Sequence, residues 1–164
     1  GDSDSGSGRG AVIGTCAPNN SDAYRRGSHA VDRSIRVESI ACPLLVPLAE
    51  EGITGGIIAR EVFDTYLGRL RDDPPDALLL GCTHYPLFAA ALADYFSGKV
   101  RILDSATACA AYTARFLEEQ KMAARPDNTP SFGCFVTDLP GEFHRHATRF
   151  LGAPPGRVER ISLT

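Results

Sequence analysis

The 164-residue sequence has no C-x-x-C pair, no apolar run approaching a membrane span and no cluster of basic side chains. Each absence removes a class of protein. Its five cysteines (Cys16, Cys42, Cys82, Cys109 and Cys134) are odd in number and widely spaced. That argues against a disulfide framework or a zinc ribbon and for reduced thiols. Free cysteine is among the most buried residue types, so most of the five are expected in the core. A membrane helix needs about 20 apolar residues, and no charged-then-apolar leader opens the sequence. The expectation is a cytoplasmic protein. The net charge of −3 comes with scattered basic residues, which leaves no electrostatic footprint for nucleic acid or for a membrane surface. There is no internal repeat.

What is present fits a globular chain. Hydrophobic residues make up 43% and charged residues 23%, near the average for soluble domains and enough for one domain or two small lobes. The opening "GDSDSGSGRG" (1–10) has the composition of a flexible leader. Short apolar runs at 11–14, 35–40, 76–81 and 100–104 read as strands, several of them apolar enough to be covered on both faces. Helical stretches separate them. Ile58, Val62, Tyr66 and Leu70 recur every four residues as an apolar stripe. A second helix, "YPLFAAALADYFSG", tolerates Pro86 in its first turn and ends at Gly98. A third starts from Ser105 as N-cap. Alternating strands and helices imply right-handed βαβ units and a mainly parallel sheet with flanking helices, so the class is α/β. "ARPDNTP" (124–130) is a linker by composition, and strand, helix and strand recur beyond it.

One stretch carries chemistry. In "LLLGCTHYPLF" (78–88) an apolar run stops at Gly81 and presents Cys82, Thr83 and His84 in succession before a helix. Ligands of doubly wound folds collect at such strand ends. A cysteine at a helix N-terminus has its thiolate favoured by the dipole and by unpaired N–H groups. Cys82 can then serve as base or nucleophile, Thr83 as a donor to an anionic group, and His84 as a proton carrier near neutral pH. Spacing alone leaves open a plainer alternative of a core thiol, an N-cap threonine and a surface histidine. A metal centre is disfavoured because C-x-H supplies two ligands and no second pair has suitable spacing. His144 and His146, two apart on a helix, face different directions and read as solvated.

The same residues resemble the glutamate racemases of the aspartate/glutamate racemase superfamily. "GCTHYPLF" is similar to that family's second cysteine motif, and four further blocks follow suit in order over 11–163. They are "AVIGTCA" with "SDAYRR", "ACPLLVPLAEEG", "RILDSATACA" and "FVTDLPGEFHRHATRFLG". The resemblance implies a cofactor-independent enzyme with two pseudo-symmetric α/β lobes that interconverts L- and D-glutamate and supplies D-glutamate for peptidoglycan. Two cysteines on opposite faces of the substrate Cα would exchange its proton. Carried onto this chain, Cys82 would be the base toward L-glutamate. His84 would assist it, Thr83 and Thr15 would hold the substrate, and Glu50 would add a further polar group nearby. A small-molecule substrate is implied, with no metal, and a homo-oligomer is allowed. An aspartate racemase is the near alternative, and a non-catalytic ligand-binding or interaction module the distant one.

The sequence also departs from the family pattern. The family's Asp-Ser-Gly-x-Gly-Gly loop and its Ala-Cys-Asn-Thr segment are missing from their expected places. "DSGSG" (4–8) has no strand before it or helix after it, and Pro18 and Asn19 replace a threonine and an apolar residue. Cys16 and Cys42 read as structural. The family's interlaced lobes give an expected division of 1–10 as leader, 11–103 as the lobe with the second catalytic cysteine, and 104–164 as elements of the other lobe. The chain then reads as a C-terminal portion, or a truncated relative, with exposed apolar surface and sheet edges in its last third and low or no activity on its own.

Overall fold

The computed structural model describes residues 8–15 and 21–163. The chain divides into two compact units, Gly1–Tyr112 and Thr113–Thr164. In the first, β1 (Arg9–Gly14), β2 (Arg36–Ala41), β3 (Ala77–Leu80) and β4 (Arg101–Asp104) form one sheet in the order β2-β1-β3-β4. Every neighbouring pair is parallel. The four apolar runs fall within a residue or two of these strands, and the sheet is α/β and parallel as expected.

α1 (Ser21–Val31) links β1 to β2 on one side of β1, whereas α2 (Leu45–Glu51) and α3 (Gly56–Asp72) carry the chain back across β1 to β3. Right-handed crossovers then put α1 on one face and α2 and α3 on the other. The connections therefore diverge between β1 and β3, and a ligand crevice opens at the carboxyl ends of strands flanking such a switch.

The core lies on the α3 face. Ala11, Ile13, Ile40, Leu78 and Leu80 alternate inward from the strands and meet Phe63, Leu67, Tyr85, Phe88 and Leu92. Phe63 packs edge-on against Phe88 (centroids 5.9 Å) and Tyr95 (5.6 Å), geometries favoured by the ring quadrupole. The buried stripe of α3 is Ala59, Phe63, Leu67 and Leu70, which corrects the sequence expectation. A line of residues four apart drifts around a helix of 3.6 residues per turn. It starts at Ile58, which is 53% exposed, and reaches the core only at Leu70, while Val62 and Tyr66 flank the stripe as partly buried neighbours.

Other expectations are corrected too. The opposite face of the sheet is only partly covered among the described residues, since Leu103 is 41% exposed. The helix after Cys82 is broken into a 3₁₀ turn (Tyr85–Phe88), which holds Pro86 at its start, and α4 (Ala89–Tyr95). The N-cap of α5 (Ser105–Glu119) is Asp104, not Ser105. Its carboxylate accepts the Thr107 N–H (2.7 Å) and hydroxyl (2.9 Å), which holds its pKa below the usual carboxylate range. Such a cap contributes about 1 kcal/mol.

In the second unit, β5 (Gly133–Val136) and β6 (Arg157–Arg160) pair in parallel and are joined by α6 (Pro140–Leu151). α5 and α6 contain no buried residue. Phe132 and Phe135 are both 65% exposed, although parallel strands are ordinarily covered on both faces. The same exposure corrects the cysteine expectation: Cys109 on α5 is exposed and Cys134 on β5 is half-buried, so of the described cysteines only Cys42 is a core residue.

Candidate active site

The carboxyl ends of the four strands lie along one edge of the first sheet. The last rungs pair Gly14 with Ala41, Ile13 with Leu80, and Leu80 with Asp104. Thr15, Cys42 and Cys82 therefore follow one or two residues past the last rungs of adjacent strands. The ladder extends into these turns: Gly81 donates its N–H to the Ile13 carbonyl (2.8 Å) and Cys42 to that of Gly14 (2.7 Å).

Gly81 is required by close approach. A Cβ there would sit 2.8 Å from the Ile13 carbonyl oxygen and 3.1 Å from Val12 Cγ1, with the Tyr24 hydroxyl 3.6 Å away. The absent side chain lets β3 run tight against β1 and releases the chain into the Cys82–His84 turn, closed by Tyr85 N–H donating to the Cys82 carbonyl (3.1 Å).

Cys82, His84 and Glu50 form a line. Cys82 Sγ lies 3.9 Å from His84 Nδ1, and His84 Nε2 lies 3.4 Å from Glu50 Oε1. Cys82 and His84 are half-buried and Glu50 is exposed at the far end of α2. A carboxylate at one ring nitrogen fixes the imidazole's orientation, and the other nitrogen faces the thiol. The arrangement suits proton exchange through sulfur. Thr83 is exposed within the same turn, and Thr15 is exposed at the end of the neighbouring strand. The structure therefore brings together Cys82, His84 and Glu50, and sets both threonines at the same edge. Cys16, Pro18, Asn19 and residues 4–7 of "DSGSG" lie outside the described residues.

Cys42 is adjacent in the fold but chemically different. It is fully buried, and burial pushes its thiol from an ordinary 9.0 up to about 12. We expect it to resist iodoacetamide in the folded protein while Cys82 reacts. Stability gained from keeping this thiol neutral is complete below the unfolded value of 9.0 and is lost as pH rises toward the folded value of about 12. Urea unfolding at about pH 8 and about pH 11 measures that loss, and a Cys42→Ala variant should show a smaller one.

A residue the sequence reading passed over is Tyr85. Its side chain is fully buried and its hydroxyl donates to the Cys42 carbonyl (2.8 Å). A tyrosine at an otherwise apolar core position signals a hydroxyl with a partner. The sequence does not disclose which partner.

Among the described residues no group of three or more His, Cys, Asp or Glu is placed to hold a metal ion, and no helix is long and apolar enough to cross a membrane.

Comparison with known proteins gives this geometry a context. The Asp/Glu/Hydantoin racemase family model matches residues 3–113. Glutamate racemases of Geobacter metallireducens and Syntrophus aciditrophicus are 38% and 40% identical to the chain, over 96% and 93% of its length. The chain spans only 58% and 56% of theirs. The crystal structure of Francisella tularensis glutamate racemase in complex with D-glutamate superposes with a TM-score of 0.82 at 32% identity, over 94% of this chain and 58% of that one. A Bacillus anthracis glutamate racemase isoform gives a TM-score of 0.80 at 30% identity, over 96% and 58%. The family match covers more than half of the sequence and contains the Cys82–His84 turn, so the chain belongs to the Asp/Glu/hydantoin racemase family.

Proposed function

We propose that this chain supplies one face of a glutamate racemase site, making D-glutamate for peptidoglycan in the cytoplasm. The observation that carries the reading is the Cys82–His84–Glu50 line at the carboxyl edge of the sheet. The relatives' naming as glutamate racemases and the bound D-glutamate of the Francisella tularensis enzyme support glutamate as the substrate. Cysteines without a C-x-x-C pair support a reducing compartment.

A Cα proton is a weak acid, so its removal needs a base whose neutral and ionised forms are both accessible. Cys82 as thiolate takes the proton from L-glutamate, and His84 exchanges it onward with Glu50 behind. Donors preorganised around the developing carbanion lower the barrier further, and the Thr83 and Thr15 hydroxyls can hold substrate carboxylates without an arginine. Inversion needs a second acid–base group on the opposite face of Cα. Cys42 does not provide it, because its thiol is buried and neutral.

The reading is tested by incubating the chain with L-glutamate or L-aspartate in heavy water and following loss of the Cα proton signal. Wash-in of deuterium is expected with glutamate and much less with aspartate. The reverse order would point to an aspartate racemase. Binding of either amino acid with no wash-in would assign a non-catalytic ligand-binding module.

A further inference from the structure

The Glu50–His84 contact has little power to hold itself together. The two side chains are 49% and 28% exposed, and ion pairs in that environment contribute little. Something else must keep α2, which carries Glu50, at a fixed distance from the turn that carries His84. α2 is only seven residues long and its N-terminus has no side-chain cap. Leu45 and Ala49 anchor its body in the core. Its first N–H groups are held by the turn before it: Leu45 donates to the Cys42 carbonyl (3.1 Å) and Val46 to that of Pro43 (3.3 Å), and the Cys42 carbonyl also accepts the Tyr85 hydroxyl (2.8 Å). Cys42 in turn donates its N–H to Gly14 at the end of β1. Tyr85 directly follows His84 in the chain and belongs to the turn closed on Cys82. One buried hydroxyl therefore joins the turn at the end of β2 to the turn at the end of β3.

We infer that Tyr85 is a positioning residue: its hydroxyl fastens the Cys42–Pro43 turn to the Cys82–His84 turn and so sets the spacing of Glu50, His84 and Cys82. It touches neither substrate nor the reacting atoms and acts through α2. This rests on the reading of Cys82 and His84 as a proton-transfer pair, and it adds that their geometry is imposed from beneath, by the core. Tyr85→Phe removes the oxygen and keeps the ring, so the aromatic packing persists while the joint loosens. Small displacements of reacting groups can cost as much as about a hundredfold in rate.

The test reads thiol chemistry first, on the whole 164-residue chain. The alkylation rate of Cys82 by iodoacetamide, resolved from the other cysteines by peptide mapping, is measured for the parent, Tyr85→Phe, Glu50→Gln and the double variant. Phe88→Leu serves as a control in the same 3₁₀ turn that disturbs packing without touching the hydroxyl. Expected are a roughly tenfold slowing in Tyr85→Phe, a similar slowing in Glu50→Gln, little further loss in the double variant, and a control rate within about twofold of the parent. Parent-like alkylation in Tyr85→Phe would overturn the inference, and so would single effects that multiply in the double variant. If Tyr85→Phe lost its folded circular dichroism spectrum while Phe88→Leu kept it, Tyr85 would be a structural residue and the inference would again fail. Deuterium wash-in into L-glutamate is followed in parallel. Alkylation behaving as expected with no wash-in in the parent would count against the racemase reading and leave the positioning role intact.

Discussion

Cys82→Ala is expected to abolish deuterium wash-in at the Cα of L-glutamate, and Cys82→Ser to slow it by roughly 10²- to 10⁴-fold, the span that a positioned general base contributes. The two variants separate chemistry from binding. Alanine removes the base. Serine keeps a polar atom of similar size, but its hydroxyl is far too weak an acid to ionise near neutrality. Cys82 lies past the last rung of β3 and is only half-buried, so neither change opens a large cavity, and unfolding midpoints should stay close to the parent. His84→Gln should fall between parent and Cys82→Ala, because it leaves the thiol and removes its nearest proton acceptor, 3.9 Å away. Proton NMR in heavy water gives the rates. Wash-in persisting in Cys82→Ala would place the base elsewhere.

The second large effect is structural and falls on the residue before it. Gly81→Ala should destabilise the first unit by about 1–3 kcal/mol, as overpacking against a fixed wall generally does. The wall is the Ile13 carbonyl, 2.8 Å from the new methyl, and it is the same oxygen that accepts the Gly81 N–H. Relief requires β3 to move off β1 at its carboxyl end, which also displaces Cys82. Gly68→Ala is the matched control: within α3, a Cβ at that position meets nothing within 4 Å. There the same substitution should stabilise by about 0.5–1 kcal/mol through lower chain entropy. Urea unfolding of both variants checks the opposite signs. A Gly81→Ala protein as stable as its parent would mean that the close approach of β1 and β3 is not a constraint.

The strands were legible in the sequence because short, bounded apolar runs have few other destinations than a covered sheet. Interior detail was less so. Ile58 and Leu70 lie on one line of four-residue spacing, but only the latter reaches the core, since a helix face is chosen by the sheet it meets. Ser105 and Asp104 are both good caps, and the choice between them depends on where β4 ends. Cys109 and Cys134 stay out of a core because the elements carrying them bury almost nothing. At the site, the Cys82–Thr83–His84 turn could be read from an apolar run broken by a glycine. Glu50 entered only through resemblance to a family, because its tie to His84 depends on how α2 leaves the sheet. The partner of Tyr85 was not legible, since it is a backbone carbonyl 43 positions away and every residue type carries one of those.

The central claim is that Cys82 serves one face of Cα. The most direct test exposes the chain to L-glutamate and D-glutamate separately in heavy water, and reads both deuterium content and product chirality. The account predicts that L-glutamate acquires deuterium with its configuration retained, while D-glutamate, whose proton faces away from Cys82, exchanges slowly or not at all. Equal exchange of both enantiomers, or full-rate conversion of L- to D-glutamate by these 164 residues, would contradict it.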